Sequence, residues 1–182
     1  MIGEETLMHM EAKPRHFKEV RPRPSVDLML RTAQQQHMQL SQMADTKASI
    51  LITVSSIALT IALSRSGDPE LRAALLTLAF SCLVSLILAV IAVLPMFGKE
   101  KGRRNLLFFG HFAEMTEDEF MSAIEQIAAT DEGVYAAITR DIHSLGTYLY
   151  RKKYRFLRYA YIALITGFII ATMVEVYVLT FV

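Results

Sequence analysis

A chain of 182 residues that is 53% hydrophobic and 20% charged, with a mean hydropathy of +0.33, must segregate its apolar and charged residues, because that combination is unusual for one soluble core. Few glycines, a single cysteine and many large apolar residues exclude collagen-like, disulfide-rich and wholly disordered classes. The net charge of +1 gives no general case for nucleic-acid binding, and Cys82, lying in an apolar stretch without a second cysteine, supports neither a disulfide nor a thiol-ligated metal site.

Residues 1–25 are charged and broken by Pro14, Pro22 and Pro24, with no apolar core of a cleavable signal, so a disordered cytosolic tail is expected. A stalk helix follows over 26–47, with Ser25 as N-cap and Asp27 in its first turn, where a negative charge suits the helix dipole. Val26, Met29, Ala33, Leu40 and Met43 form a heptad-like seam with Gln36 as a polar member. That seam either packs within the protomer or joins copies as a coiled coil. No breaker separates this helix from the first apolar run, so a movement of the stalk would be passed to the membrane segment.

Three apolar runs, Ala48 to Leu63, Ala73 to Leu94 and Tyr159 to Val182, predict transmembrane helices over 48–64, 73–96 and 159–180. At helical rise the second and third reach roughly 33 to 36 Å, enough for a hydrocarbon core, and the first about 24 Å, with Lys47 and Arg65 reaching to the interfaces. Basic residues gather before the first run (Arg31, Lys47), after the second (Lys99, Lys101, Arg103, Arg104) and before the third (Arg151, Lys152, Lys153, Arg155, Arg158). The positive-inside rule then puts the N-terminus and region 97–158 in the cytosol, the hairpin 65–72 outside and the C-terminus at the outer face.

After the second span, Pro95 and Gly98 end the helix, and 99–112 combines a basic cluster with Leu106, Leu107, Phe108, Phe109 and Phe112, an interfacial composition. Thr116 and Glu119 form a capping box, with Met115 and Phe120 as its hydrophobic staple, and Phe120, Ile124, Ile127 and Ala128 give the helix one apolar face. Asp131 to Gly133 is a turn signal. Val134, Ile138, Ile142, Leu145 and Leu149 then recur at helical steps, predicting one helix from about Val134 into the third span. The expected fold is an all-α membrane protein: three transmembrane helices and a small cytosolic helical bundle made from extensions of the spans plus one short helix.

Catalytic constellations are missing from the sequence. His9, His16, His37, His111 and His143 are scattered, with no HExxH, no glycine loop for phosphate and no GxSxG, so neither an enzyme, a metal site nor a cofactor is expected. Polar residues in the spans are more informative. Ser49, Thr53, Ser56 and Thr60 share one face of the first span, and Thr77, Ser81 and Ser85 one face of the second. Such faces either pack helices closely or line an aqueous path, and both uses require them to point at protein. Glu175 falls near the outer interface, where a carboxylate reaches water.

Several segments resemble one family. Gln42-Met43-Ala44-Asp45-Thr46-Lys47-Ala48-Ser49-Ile50-Leu51, with its AD-x-KA lead-in at Asp45, Lys47 and Ala48, is similar to that of the Pycsar effector transmembrane proteins. So are Phe108-Phe109-Gly110-His111-Phe112 and Asp141-Ile142-His143-Ser144-Leu145 followed by Arg151-Lys152-Lys153-Tyr154-Arg155, in the same order relative to the spans over residues 30 to 180. The resemblance implies a bacterial antiphage effector of the inner membrane, functionally linked to a nucleotide cyclase and activated by cyclic CMP or cyclic UMP to impair the membrane.

A cyclic nucleotide needs cations or N–H donors for its phosphate and a flat partner for its base. Phe109, His111, Arg140, Tyr148, Arg151, Lys152, Tyr154 and Arg155 supply those types, although the basic ones also suit a membrane anchor. A monomer with three spans encloses no obvious pore, so a homo-oligomer in the lipid bilayer is expected. The alternative is a constitutive scaffold or regulatory subunit that docks a cytosolic partner and has no pore activity.

Overall fold

The computed structural model describes residue 17 and residues 20–94 and 105–181. The tail through residue 16, the breaks at Pro95 and Gly98 and the basic cluster Lys99 to Arg104 lie outside the described residues. Every regular element among those described is helical: α1 Pro24–Arg65, α2 Arg72–Val93, α3 Phe109–Phe112, α4 Glu117–Ala128, α5 Asp131–Tyr148, a π-helical segment Leu149–Tyr154, and α6 Arg155–Phe181. The last three join into one continuous helical run of 51 residues, and among the described residues three helices are long and apolar enough to cross a membrane.

Helix boundaries refine the sequence reading. Proline at the start of α1 occupies a position whose missing N–H costs nothing, and the Arg23 carbonyl accepts from the Val26 and Asp27 amides at 2.9 and 3.4 Å, so Ser25 sits inside the first turn and is not the N-cap. α2 stops at Val93 because Leu94, at φ −58° and ψ 124°, has the extended backbone required before Pro95. Thr116 and Glu119 close their capping box on α4, each side chain bonding the other's backbone amide at 3.3 and 3.0 Å. The turn signal at Asp131 to Gly133 proves to be the first turn of α5, held by the Gly133 amide donating to Thr130 Oγ1 at 3.1 Å.

The chain divides into two compact units, Met1–Gln36 with Phe97–Leu145 and His37–Met96 with Gly146–Val182. In the first, Tyr135 donates to Asp27 at 2.9 Å with the Phe17 ring 6.3 Å away, Gln34 donates to Asp141 at 2.9 Å, and the Phe112 and Phe120 rings lie 5.1 Å apart. The second holds the spans. There α1 residues Ala48 and Leu51, α2 residues Cys82, Ala89 and Ala92, and α6 residues Leu157, Ala160 and Leu164 form one core. Alanine at so many contact positions lets the backbones approach closely, while Phe80, Ile169, Met173 and Leu179 face outward, an inside-out distribution suited to lipid.

Contacts within each unit fix the helix directions. Asp27 meets Tyr135 and Gln34 meets Asp141 in the first; His37 lies against Gly146 and Asp45 against Lys153 in the second. Residue numbers rise together on both helices, so α1 and the α5–α6 helical run are parallel, whereas α2, returning through the short hairpin 66–71, opposes them.

Gly167 on α6 is the tightest of these approaches: a methyl there would overlap the hydroxymethyl of Ser81 on α2. Gly167→Ala is expected to cost about 1–3 kcal/mol through overpacking, and Ser81→Gly in the same chain to restore most of the loss. Thermal unfolding of the detergent-solubilised protein checks both.

Candidate functional site

Two polar clusters are built into the helices on the N-terminal side of the spans, one in each unit. In the span-containing unit, Lys153 projects from the π-helical segment and is only 8% exposed. Its ammonium donates to Asp45 Oδ1 and Oδ2 at 2.7 and 2.8 Å and to Ser41 Oγ at 2.8 Å, so its three protons have three acceptor atoms on α1. Tyr154 adds a hydrogen bond to the Leu40 carbonyl at 3.2 Å.

The irregular turn has a geometric cause. Leu149, Lys153 and Leu157 are all buried, four residues apart. A straight α-helix over-rotates by about 40° with each four-residue step, which would carry Lys153 and Leu157 away from the packed face. The wider π-turn takes up that rotation and keeps the three aligned.

In the other unit the buried Asp141 carboxylate accepts from Gln34 Nε2 at 2.9 Å and Asn105 Nδ2 at 3.0 Å. Asn105, also buried, donates to Ser144 Oγ at 3.0 Å and accepts from the Leu107 amide at 3.1 Å, while Ser144 returns a bond to the Asp141 carbonyl. The segment carrying Asn105 is thereby tied to α5, and Gln34 ties α1 to the same carboxylate. At Tyr135, donation to Asp27 and then burial push the hydroxyl above its ordinary value. Because the folded chain favours the protonated phenol, this contact is intact at neutral pH and is lost only as pH rises beyond about 10.

The expected ligand residues are distributed between the units. Arg140 lies half-buried on α5 in the first. Tyr148, Arg151, Lys152, Tyr154 and Arg155 belong to the second, where Arg151 and Arg155 are exposed and the Arg155 guanidinium sits 5.9 Å from the Tyr159 ring centroid. Phe109 and His111 are in α3, but their side chains lie outside the described residues. Among the described residues no group of three or more His, Cys, Asp or Glu side chains is placed to hold a metal ion.

The AD-x-KA segment acquires physical roles: Asp45 takes the Lys153 ammonium, Ala48 is fully buried in the three-helix core, and Lys47 is exposed. The hydroxyl faces divide. Ser85 is fully buried, donating to the Ala160 carbonyl at 2.9 Å and accepting from Ser55 at 3.3 Å, and Ser81 abuts Gly167, whereas Thr77 bonds back to the Ala73 carbonyl. On α1, Ser49, Thr53 and Thr60 are exposed and Ser56 half-buried, and each donates to the carbonyl four residues before it. Within one chain, therefore, the packed face of α1 is the one carrying Ala44, Ala48, Leu51 and Ser55, and not the predicted hydroxyl stripe.

Of the heptad-like seam, Met29, Leu40 and Met43 are exposed while Leu30 and Ala44 beside them are buried, so these large seam residues do not pack within the protomer. Small side chains and the pairing of Asp45, not large apolar residues, decide which side of α1 faces its neighbours. Ser55, Ser41, Gln34 and Asn105 enter these contacts without being singled out by the sequence, and the packed face of α1 shows there only as the alternation of Ser41, Ala44, Ala48, Leu51 and Ser55 at three- and four-residue steps, a period the Ser49 to Thr60 stripe shares. Glu175 is partly exposed, with its Oε2 buried and unbonded.

Comparison with known families decides the affiliation: the model of the Pycsar effector protein domain matches residues 28–180. The chain belongs to the Pycsar effector family. Neither a curated protein nor a solved structure matches it. Membership in this Pycsar family, one of non-catalytic effectors, makes the chain a membrane effector of antiphage defence with a link to cyclic-nucleotide signalling. Three of the segments that resemble the family supply residues to the two polar clusters: Asp45 and Lys153 to one, Asp141 and Ser144 to the other.

Asp141→Ala takes the acceptor from the half-buried Gln34 amide and one acceptor from the buried Asn105 amide, and is expected to destabilise the protein by about 1–3 kcal/mol. Asp141→Asn, which preserves shape and one acceptor oxygen, should cost less, and thermal unfolding of the two variants side by side measures the difference.

Proposed function

We propose that this Pycsar effector sits in the bacterial inner membrane with its N-terminus and region 97–158 in the cytosol and its C-terminus at the outer face. There it is activated by a cyclic pyrimidine mononucleotide, cyclic CMP or cyclic UMP, supplied by a nucleotide cyclase. The nucleotide binds a homo-oligomer through cytosolic helices, using cationic and aromatic side chains drawn from Phe109, His111, Arg140, Tyr148, Arg151, Lys152, Tyr154 and Arg155, and the assembly rearranges so that the membrane leaks. No metal or cofactor takes part.

The observation that carries this reading is the family match over 28–180 on a chain whose first and third spans are continuous with polar helices. A ligand that shifts those helices acts directly on the spans, with no intervening linker to absorb the motion. Taking a population from 1:99 to 99:1 in favour of the leaky state needs about 5.5 kcal/mol of differential binding, which several nucleotides on one oligomer share. The positive-inside distribution of Arg31, Lys47 and the Arg151 to Arg158 cluster supports the orientation.

Dye release from liposomes containing the purified protein tests the proposal. Cyclic CMP or cyclic UMP added on the side of residues 97–158 is expected to release dye in a dose-dependent way, and cyclic AMP to release little. If oligomeric, correctly oriented protein releases none with either pyrimidine nucleotide, the activation mechanism fails and a constitutive scaffold that docks a cytosolic partner is the better account.

A further inference from the structure

The intramembrane hydroxyls of α1 continue a longer pattern. Gln39, Gln42 and Thr46 precede Ser49, and the steps from Gln39 to Thr60 alternate three and four without interruption, a heptad spacing that spans ~32 Å of helix. In the sequence the alternation already includes Thr32 and Gln35. Every member is uncharged and both donates and accepts hydrogen bonds. All are exposed in the single chain except Ser56, which is half-buried.

A second row accompanies the first. Met43, Ile50 and Ile57 recur at seven-residue intervals immediately beside the polar stripe and are 51%, 57% and 56% exposed. Lipid covers an exposed isoleucine in the bilayer, but Met43 precedes Lys47 and so stands at the edge of the span or beyond it. The buried residues of α1, from Ala44 through Ala48 and Leu51 to Ser55, repeat at the same steps on nearly the opposite side. One helix thus carries two heptad faces, and only one is occupied by its own chain.

We infer that the outer face, the uncharged polar stripe with the Met43 row at its flank, is the seam along which a second copy of this chain packs, α1 against α1. The occupant follows from the chemistry. Where α1 meets α1 about a symmetry axis, identical faces meet, so the seam must complement itself, and charges of one sign in it would repel. Glutamine, serine and threonine pair with their own kind, and small hydroxyl residues allow close approach inside the bilayer. A strict 3.5-residue period keeps the same face toward a partner over several turns, as supercoiled helices require. This inference rests on the homo-oligomer of the proposed function and specifies its contact.

Cysteine scanning of the full chain in native membrane vesicles tests it, in a Cys82→Ala background. Gln39→Cys, Gln42→Cys, Thr46→Cys, Ser49→Cys and Thr53→Cys are expected to give disulfide-linked dimers on mild oxidation. Phe80→Cys, exposed on α2, is expected to give none. Amine crosslinking of the same vesicles reports assembly independently. Amine-linked oligomers without disulfides at the stripe, or equal disulfide yields on and off it, overturn the seam alone; monomer in both measurements overturns the seam and the oligomeric reading together.

Discussion

The placement of one ammonium group governs the span-containing unit. Lys153 is almost wholly removed from solvent, and a buried cation is tolerated only where paired and fully hydrogen-bonded. Asp45 and Ser41 meet that demand. Their position on α1 sets its register against the last helix, and α2, returning from α1 through a short hairpin, runs antiparallel to both. The π-turn follows from the same requirement, since without it Lys153 would rotate off the line of Leu149 and Leu157.

Small residues complete what the ion pair begins. Ala44 and Ala48 flank Asp45 on the packed side of α1, and both are buried, so α1 lies close enough for a short aspartate to reach the lysine. Further along the spans, Ser55, Ser85 and the Ala160 carbonyl link all three helices through hydrogen bonds that need no charge. Polar contact therefore changes character along the unit, from a charged pair near the basic residues Arg151 to Arg158 to hydroxyls in the apolar interior, as the falling capacity of the surroundings to solvate charge requires.

Much of this architecture was legible in the sequence. Spans, orientation signals, the capping box at Thr116 and the long last helix all depend on local composition and period, which a single chain displays directly. What stayed hidden depended on partners distant in sequence. Lys153 read as one more basic anchor among Arg151, Arg155 and Arg158, and only its neighbours distinguish it. The choice of the Ser55 face over the conspicuous Ser49 to Thr60 stripe was likewise invisible, because serine and threonine satisfy themselves on their own helix as readily as they do across an interface. The family segments at Asp45 and Asp141 show in the sequence as patterns, and the structure supplies their physical content as a half-exposed and a buried acceptor.

On the proposed function the effector stays silent until a nucleotide binds, so the contacts that hold its polar helices to its spans need to be specific but not excessive. An ion pair between a buried lysine and a half-exposed aspartate meets that description: its net contribution is modest, yet removing one partner is costly. This pair locks α1 to the last helix. A double-mutant cycle measures the lock directly, with Asp45→Ala, Lys153→Met and the combined variant compared by thermal unfolding. Asp45→Ala, which strands the buried ammonium, should be the more damaging single change, and the two should couple by more than about 1 kcal/mol. Effects that add to within about 0.3–0.5 kcal/mol would contradict it.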